Sequence, residues 1–177
     1  MVLVFASAGG YNCRMDENRL AHLAARLSES CIREDKQLMT AESCTGGWIA
    51  KICTDLPGSS RWFEQGFVTY SNHAKQTMLG VSAATLAEHG AVSEAVVREM
   101  TAGALERGCG NLVVAVSGIA GPGGGTHFKP VGTAWLAWQQ AGSAAVSKRC
   151  QFDGDRDAVR FQAVERALQG LVDLVQG

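Results

Sequence analysis

The run Leu112-Val113-Val114-Ala115-Val116 is apolar throughout, with no alternate polar residue to give it a wet face. A strand of this kind has to be covered on both sides, which calls for helices above and below a largely parallel sheet. The flanking chain supplies them. Leu20, Leu23, Ala24, Leu27 and Cys31 recur at the spacing of an amphipathic helix, introduced by the acidic pair Asp16 and Glu17. Ser93 and Glu94 open a second long helix carrying Val96, Val97, Met100 and Ala104, which closes at Gly108 and Gly110. A last helix places Val164, Ala167, Leu168, Leu171 and Val175 on one stripe.

Between these lie shorter elements. Residues 37–41 read as a strand, followed by Thr45-Gly46-Gly47 and a short helix burying Trp48, Ile49 and Ile52. After the Pro57-Gly58-Ser59-Ser60 turn, residues 66–70 read as a strand, and Ser71 or Asn72 caps a helix through Leu79 that holds Lys75 near its start. Residues 131–138 and 148–152 give two late strands. The short connection around Gly142 is too brief for a helical crossover, so this pair is antiparallel. The expected fold is a three-layer α/β/α sandwich around a mixed, mostly parallel sheet. A single domain is expected over residues 15–177, with residues 1–14 an extension, disordered or appended, outside it.

Composition excludes several roles. Sixteen Lys and Arg against 17 Asp and Glu leave no excess positive charge for binding nucleic acid. The six cysteines form no CxxC pair, and His22, His73, His89 and His127 show no ligand spacing, so no metal is expected. The apolar start is too short for a membrane span and lacks a basic leader, so the expectation is a cytoplasmic chain with reduced thiols.

Ligands of open α/β sheets bind where strands turn into helices, which selects three segments. Glu42-Ser43-Cys44-Thr45-Gly46-Gly47 sets two hydroxyls and a thiol beside glycines whose backbone N–H groups can hold an oxyanion or phosphate. Taken alone, a helix cap with a tight turn accounts for it equally well. Tyr70 to Lys75 offers a base: a lysine in a first helical turn meets the positive end of the helix dipole and, if desolvated, favours its neutral amine. A solvated lysine and a half-buried tyrosine are the plain alternative. The third segment, Ser117-Gly118-Ile119-Ala120-Gly121-Pro122-Gly123-Gly124-Gly125, invites close backbone approach by a ligand, yet lacks the Lys and the helix start of known phosphate loops. Arg156 is placed to pair with a phosphate or with a neighbouring Asp. No GxSxG, SxxK or HExxH motif is present.

Taken in order, Ala41-Glu42-Ser43-Cys44-Thr45-Gly46-Gly47, then Gly66-Phe67-Val68-Thr69-Tyr70-Ser71-Asn72 with Lys75, and Ser117-Gly118-Ile119-Ala120-Gly121-Pro122-Gly123-Gly124 with Lys129-Pro130-Val131-Gly132-Thr133, resemble the CinA C-terminal domain family from about Leu20 onward. His127 and Phe128 fall in a variable part of the family's loop. The resemblance implies hydrolysis of the carboxamide of nicotinamide mononucleotide to nicotinic acid mononucleotide and ammonia, in pyridine-nucleotide salvage, without metal or organic cofactor. It implies Ser43 as nucleophile with Tyr70 and Lys75 handling its proton. Glu42, Cys44, Thr45, Gly46, Gly47, Ser117, Gly118, Ala120, Gly121, Pro122, Gly123 and Arg156 are then expected around the substrate. Many members carry a further N-terminal domain that a chain of this length does not hold, so the stand-alone form is expected. The expected partners are a small nucleotide and further copies of the chain, as a homodimer or higher homo-oligomer. Two other readings stay open: a non-catalytic nucleotide-binding module, and an accessory role in competence or DNA damage.

Overall fold

A computed structural model describes residues 10–177 of the chain, with side chains of the first helix from Asn18 onward. The first helix, α1 (Gly10–Arg33), begins upstream of the acidic pair read as its start. The extension expected at residues 1–14 therefore falls on residues outside those described and on the opening of α1. The remaining elements are β1 (Leu38–Glu42), α2 (Trp48–Thr54), a single 3₁₀ turn (Ser59–Arg61), β2 (Phe63–Val68), α3 (Asn72–Leu79), α4 (Ala83–His89), α5 (Glu94–Arg107), β3 (Leu112–Gly118), β4 (Thr133–Gln140), β5 (Val146–Gln151) and α6 (Arg156–Gln176).

The sheet runs β2-β1-β3-β4-β5. β1 pairs in parallel with β2 and β3, while β3–β4 and β4–β5 are antiparallel, so β4 alone is reversed. This is the mixed, mostly parallel sheet expected. The central run divides as a pleated strand must: Leu112, Val114 and Val116 enter one core with α1, α2 and α6. Val113 and Ala115 enter a second core with α5 and residues of α3 and α4. All five are fully buried, and each buried Val or Leu side chain contributes about 1.5–3 kcal/mol.

Two corrections concern the site. The strand expected at residues 66–70 runs Phe63–Val68, so Tyr70 lies beyond its end, and β1 ends at Glu42, which the sequence had placed in a loop. Helix α4 was not foreseen: it shows barely two turns, and Leu86 is its only buried residue. Its boundary signals were nonetheless present, a Ser82 cap bonded to the Ala84 N–H and a terminal Gly90.

Close packing fixes the helices that carry the site. A Cβ at Gly103 of α5 would overlap the main-chain oxygen of Leu79, so only glycine lets α5 lie this close to α3. On the other face, Gly170 of α6 lies against the Trp138 indole, where a methyl would clash. The same indole donates to the Ala167 oxygen at 2.9 Å. Helix α6 is thereby seated on β4, and α3 on α5.

Candidate active site

Ser43 follows the last residue of β1, and its N–H donates to the Val116 oxygen at 3.0 Å, which continues the ladder one residue past the strand. Thr69 N–H donates to the Glu42 oxygen at 2.8 Å from the other side. The serine is thus pinned between the carboxyl ends of β2 and β3, where ligands of such sheets bind.

Lys75 reaches it from α3. That helix is capped by Ser71, whose hydroxyl accepts from the Ala74 N–H at 3.0 Å. Lys75 lies in the first turn and is only 1% exposed. Its Nζ donates to Ser43 Oγ at 2.9 Å, to the Thr69 oxygen at 2.8 Å and to the Tyr70 oxygen at 3.4 Å. Among the described residues no carboxylate pairs with it. Burial pushes its pKa below the ordinary lysine range, with the neighbouring Cys44 acting weakly the other way. As an ammonium Lys75 can donate to all three; once it loses a proton, its two hydrogens stay on the carbonyl oxygens, which only accept, and the lone pair is left to take the Ser43 hydroxyl proton.

Glu42 is fully buried. Its Oε2 accepts from Thr45 Oγ1 at 2.7 Å, Gly47 N–H at 3.0 Å and Ile49 N–H at 3.1 Å, and Oε1 from Ala50 N–H at 2.9 Å. The carboxylate closes the N-terminus of α2 and folds the Ser43 turn around itself, leaving no face toward solvent. Helix α2 starts from Gly47 at φ 94°, a left-handed conformation that favours glycine.

Cys44 sits beside Ser43, but burial pushes its thiol up to about 11, so it stays protonated near neutrality. A Cβ on Gly118 would stand 3.1 Å from the Cys44 sulfur, so that glycine lets β3 close against the turn. The Thr45 N–H has no acceptor among the described residues, although Thr45 is fully buried.

A cavity of about 220 Å³ opens here, walled by Ser43, Lys75, Tyr70, Ser117, Gly118 and Arg156 among others. Cys44 and Ala120 also line it. The other expected residues lie apart. Thr45, Gly46 and Gly47 line a separate groove with Trp48 and Arg160. Gly121 offers its oxygen to Arg156 Nη1 at 2.7 Å, and Pro122 and Gly123 are outside the cavity wall. Tyr70 is 61% exposed. Its phenol accepts from Arg156 Nη2 at 3.2 Å, and Lys75 meets only its main-chain oxygen. Arg156 and Tyr70 therefore form the cavity's rim.

Ala91 and Val92, which no sequence motif marks, add to the wall from the connection between α4 and α5. Ser117 Oγ donates to the Ala91 oxygen at 2.8 Å, and Lys129 Nζ to the His89 oxygen at 2.7 Å, which clasps this connection to the glycine-rich loop. Arg160 was also overlooked, although it stands one turn after Arg156 on α6. Among the described residues no three His, Cys, Asp or Glu side chains gather as a metal site, and no described helix is long and apolar enough to cross a membrane.

Known proteins resemble this chain over most of its length. The family model described as the CinA C-terminal domain matches residues 20–175. The chain is 52% identical over 157 residues to a nicotinamide-nucleotide amidohydrolase of Escherichia coli (strain K12), covering 89% of this chain and 95% of that one. It is 55% identical over 152 residues to a protein of the same name from Pseudomonas putida, covering 86% and 94%. Among solved structures, a competence/damage inducible protein of Agrobacterium tumefaciens superposes with a TM-score of 0.86 at 42% identity, over 88% of this chain and 95% of that one.

Proposed function

The chain belongs to the CinA C-terminal domain family, and from that premise we propose that it hydrolyses the carboxamide of nicotinamide mononucleotide with Ser43 as nucleophile. The observation that carries this reading is the 2.9 Å contact between Lys75 Nζ and Ser43 Oγ, made by a buried lysine whose other partners are carbonyl oxygens. The relatives named as nicotinamide-nucleotide amidohydrolases support the substrate.

Lys75, neutral, takes the Ser43 proton as Oγ bonds to the carboxamide carbon. The oxyanion that forms is met by main-chain N–H groups of the loops around Ser43. Lys75 returns its proton to the departing nitrogen, the C–N bond breaks, and ammonia leaves. Water then gives a proton to Lys75 and attacks the acyl carbon, the bond to Ser43 Oγ breaks and Oγ takes that proton back from Lys75, so nicotinic acid mononucleotide departs and the amine is again neutral. The 220 Å³ cavity has room for the amide-bearing ring, which leaves the ribose and phosphate at the rim beside Arg156 and Tyr70. A guanidinium is well matched to phosphate there. Tyr70 in this scheme orients Arg156 and the ligand, and Lys75 is the immediate base.

Ammonia release from nicotinamide mononucleotide, with a metal chelator present, tests the reading. Wild type is expected to release ammonia and Ser43→Ala to lose several orders of magnitude of turnover with an unchanged melting profile. Near-normal turnover by Ser43→Ala would end it. Binding without ammonia release by the wild type would make the protein a nucleotide sensor instead.

A further inference from the structure

We propose that a second cavity, next to the catalytic one, is a binding site for a further mononucleotide, with the base against Phe128 and Trp135 and the phosphate on Lys129 and Arg149. This cavity has a volume of about 260 Å³ and is lined from the α4–α5 connection, the end of the glycine-rich loop, β4 and β5. Val92 stands in the walls of both cavities, whereas Ser43, Lys75 and Arg156 line only the catalytic one. The two sites are neighbours built from different side chains.

The charges in this second cavity are unbalanced. Lys129 is half-buried, and its Nζ donates to the His89 main-chain oxygen at 2.7 Å. Arg149 Nη2 donates to the Phe128 main-chain oxygen at 2.9 Å. Both cations are held by neutral groups, and among the described residues neither pairs with a carboxylate. The carboxylate in the same wall, Glu94, is already engaged: its Oε1 accepts from Arg98 Nε at 3.0 Å and from Ser147 Oγ at 2.6 Å. An ammonium has three donors and a guanidinium five, so both cations keep donors for an anion, and a phosphate offers the oxygens and the charge to meet them. The aromatic residues say what the phosphate is attached to. Phe128 is 82% exposed, its ring edge-on to His127 at 5.3 Å, and Trp135 is half-buried in the same wall. Aromatic faces beside cations suit a nucleotide, whose base stacks while its phosphate reaches the charge. Inorganic phosphate would leave those faces in water.

Calorimetric titration with adenosine monophosphate tests the site, because this probe has a base and a phosphate but no carboxamide to hydrolyse. Binding is read without turnover, so the result is independent of the amidase reading. The titrations are run on wild type and on Arg156→Gln, in which the catalytic rim has lost its phosphate partner. Saturable binding is expected in both. Adding Phe128→Ser or Arg149→Gln to Arg156→Gln is expected to weaken it roughly tenfold or more, the loss of one stacking or one charged contact. Both added changes fall on exposed side chains, and an unchanged melting profile confirms the fold. No saturable binding to wild type would overturn the proposal. So would binding to wild type that Arg156→Gln abolishes, which would place the probe in the catalytic cavity, or affinity that survives both added changes. Inorganic phosphate binding as tightly as adenosine monophosphate would also overturn it, since the aromatic wall would then contribute nothing.

Discussion

Replacing Glu42 by Gln separates a cap from a ligand contact. The carboxylate receives four hydrogen bonds, three at Oε2 and one at Oε1. In the best arrangement the Gln oxygen takes the Oε2 position and keeps three donors, but without charge. A bond to a charged group contributes about 1.5–3 kcal/mol and a neutral one about 0.5–1.5, so each of the three weakens by about 1 kcal/mol. The new NH₂ then faces the Ala50 N–H, donor against donor, at a further penalty of about 1–3 kcal/mol. Relief of the carboxylate's own desolvation offsets part of this, which leaves a net loss of about 3–5 kcal/mol out of the 5–15 typical of a folded domain. Each kcal/mol lowers the melting temperature of a domain this size by about 2–4 °C, so a drop of at least about 6 °C is expected. Urea unfolding should show a lower midpoint with an unchanged slope. A loss below about 1 kcal/mol accompanied by a raised KM would refute the cap and return Glu42 to the substrate-binding residues.

Other consequences can be measured separately. Lys75→Met removes the proposed base and should lower kcat by about 10²–10⁴-fold. Because burial lowers the Lys75 pKa, kcat/KM should rise with pH through that lowered value as the amine loses its proton. The unfolded chain binds that proton up to the ordinary lysine pKa of about 10.4. Stability should therefore also rise with pH between the two values, and this slope should vanish in Lys75→Met, as read by urea unfolding across pH. Gly103→Ala should destabilise the fold by at least about 1–3 kcal/mol through overpacking of α5 on α3. Thiol alkylation near neutrality should modify the exposed Cys109 well before the buried Cys44; rapid modification of Cys44 with loss of activity would show the turn opening far more than its packing implies.

The fold was legible wherever one residue pattern had a single structural solution. Leu112–Val116 has no wet face, so its central place and the helices on both sides follow. The brief connection at Gly142 forces β4 and β5 to run antiparallel. Ends were less legible, because a strand stops where its partner does: β2 slips upstream to Phe63 in pairing with β1, which leaves Tyr70 outside the ladder. At the site, the Ser43 and Lys75 pairing could be anticipated from a strand end and a helix start. Glu42 could not be assigned, since a carboxylate beside glycines reads alike as ligand contact or cap until its four donors are located. Arg160 was hidden for another reason. Its partners are main-chain oxygens more than a hundred positions away, and main-chain oxygens leave no mark on a sequence.

The most direct test of Ser43 as a covalent nucleophile is the mass of the protein itself, taken by rapid acid quench of the enzyme mixed with excess nicotinamide mononucleotide. The expected result is a transient gain equal to the substrate less ammonia, mapped to the peptide carrying Ser43 and absent from Ser43→Ala. Full turnover with no adduct in the wild type at any quench time, together with unimpaired ammonia release by Ser43→Ala, would contradict it.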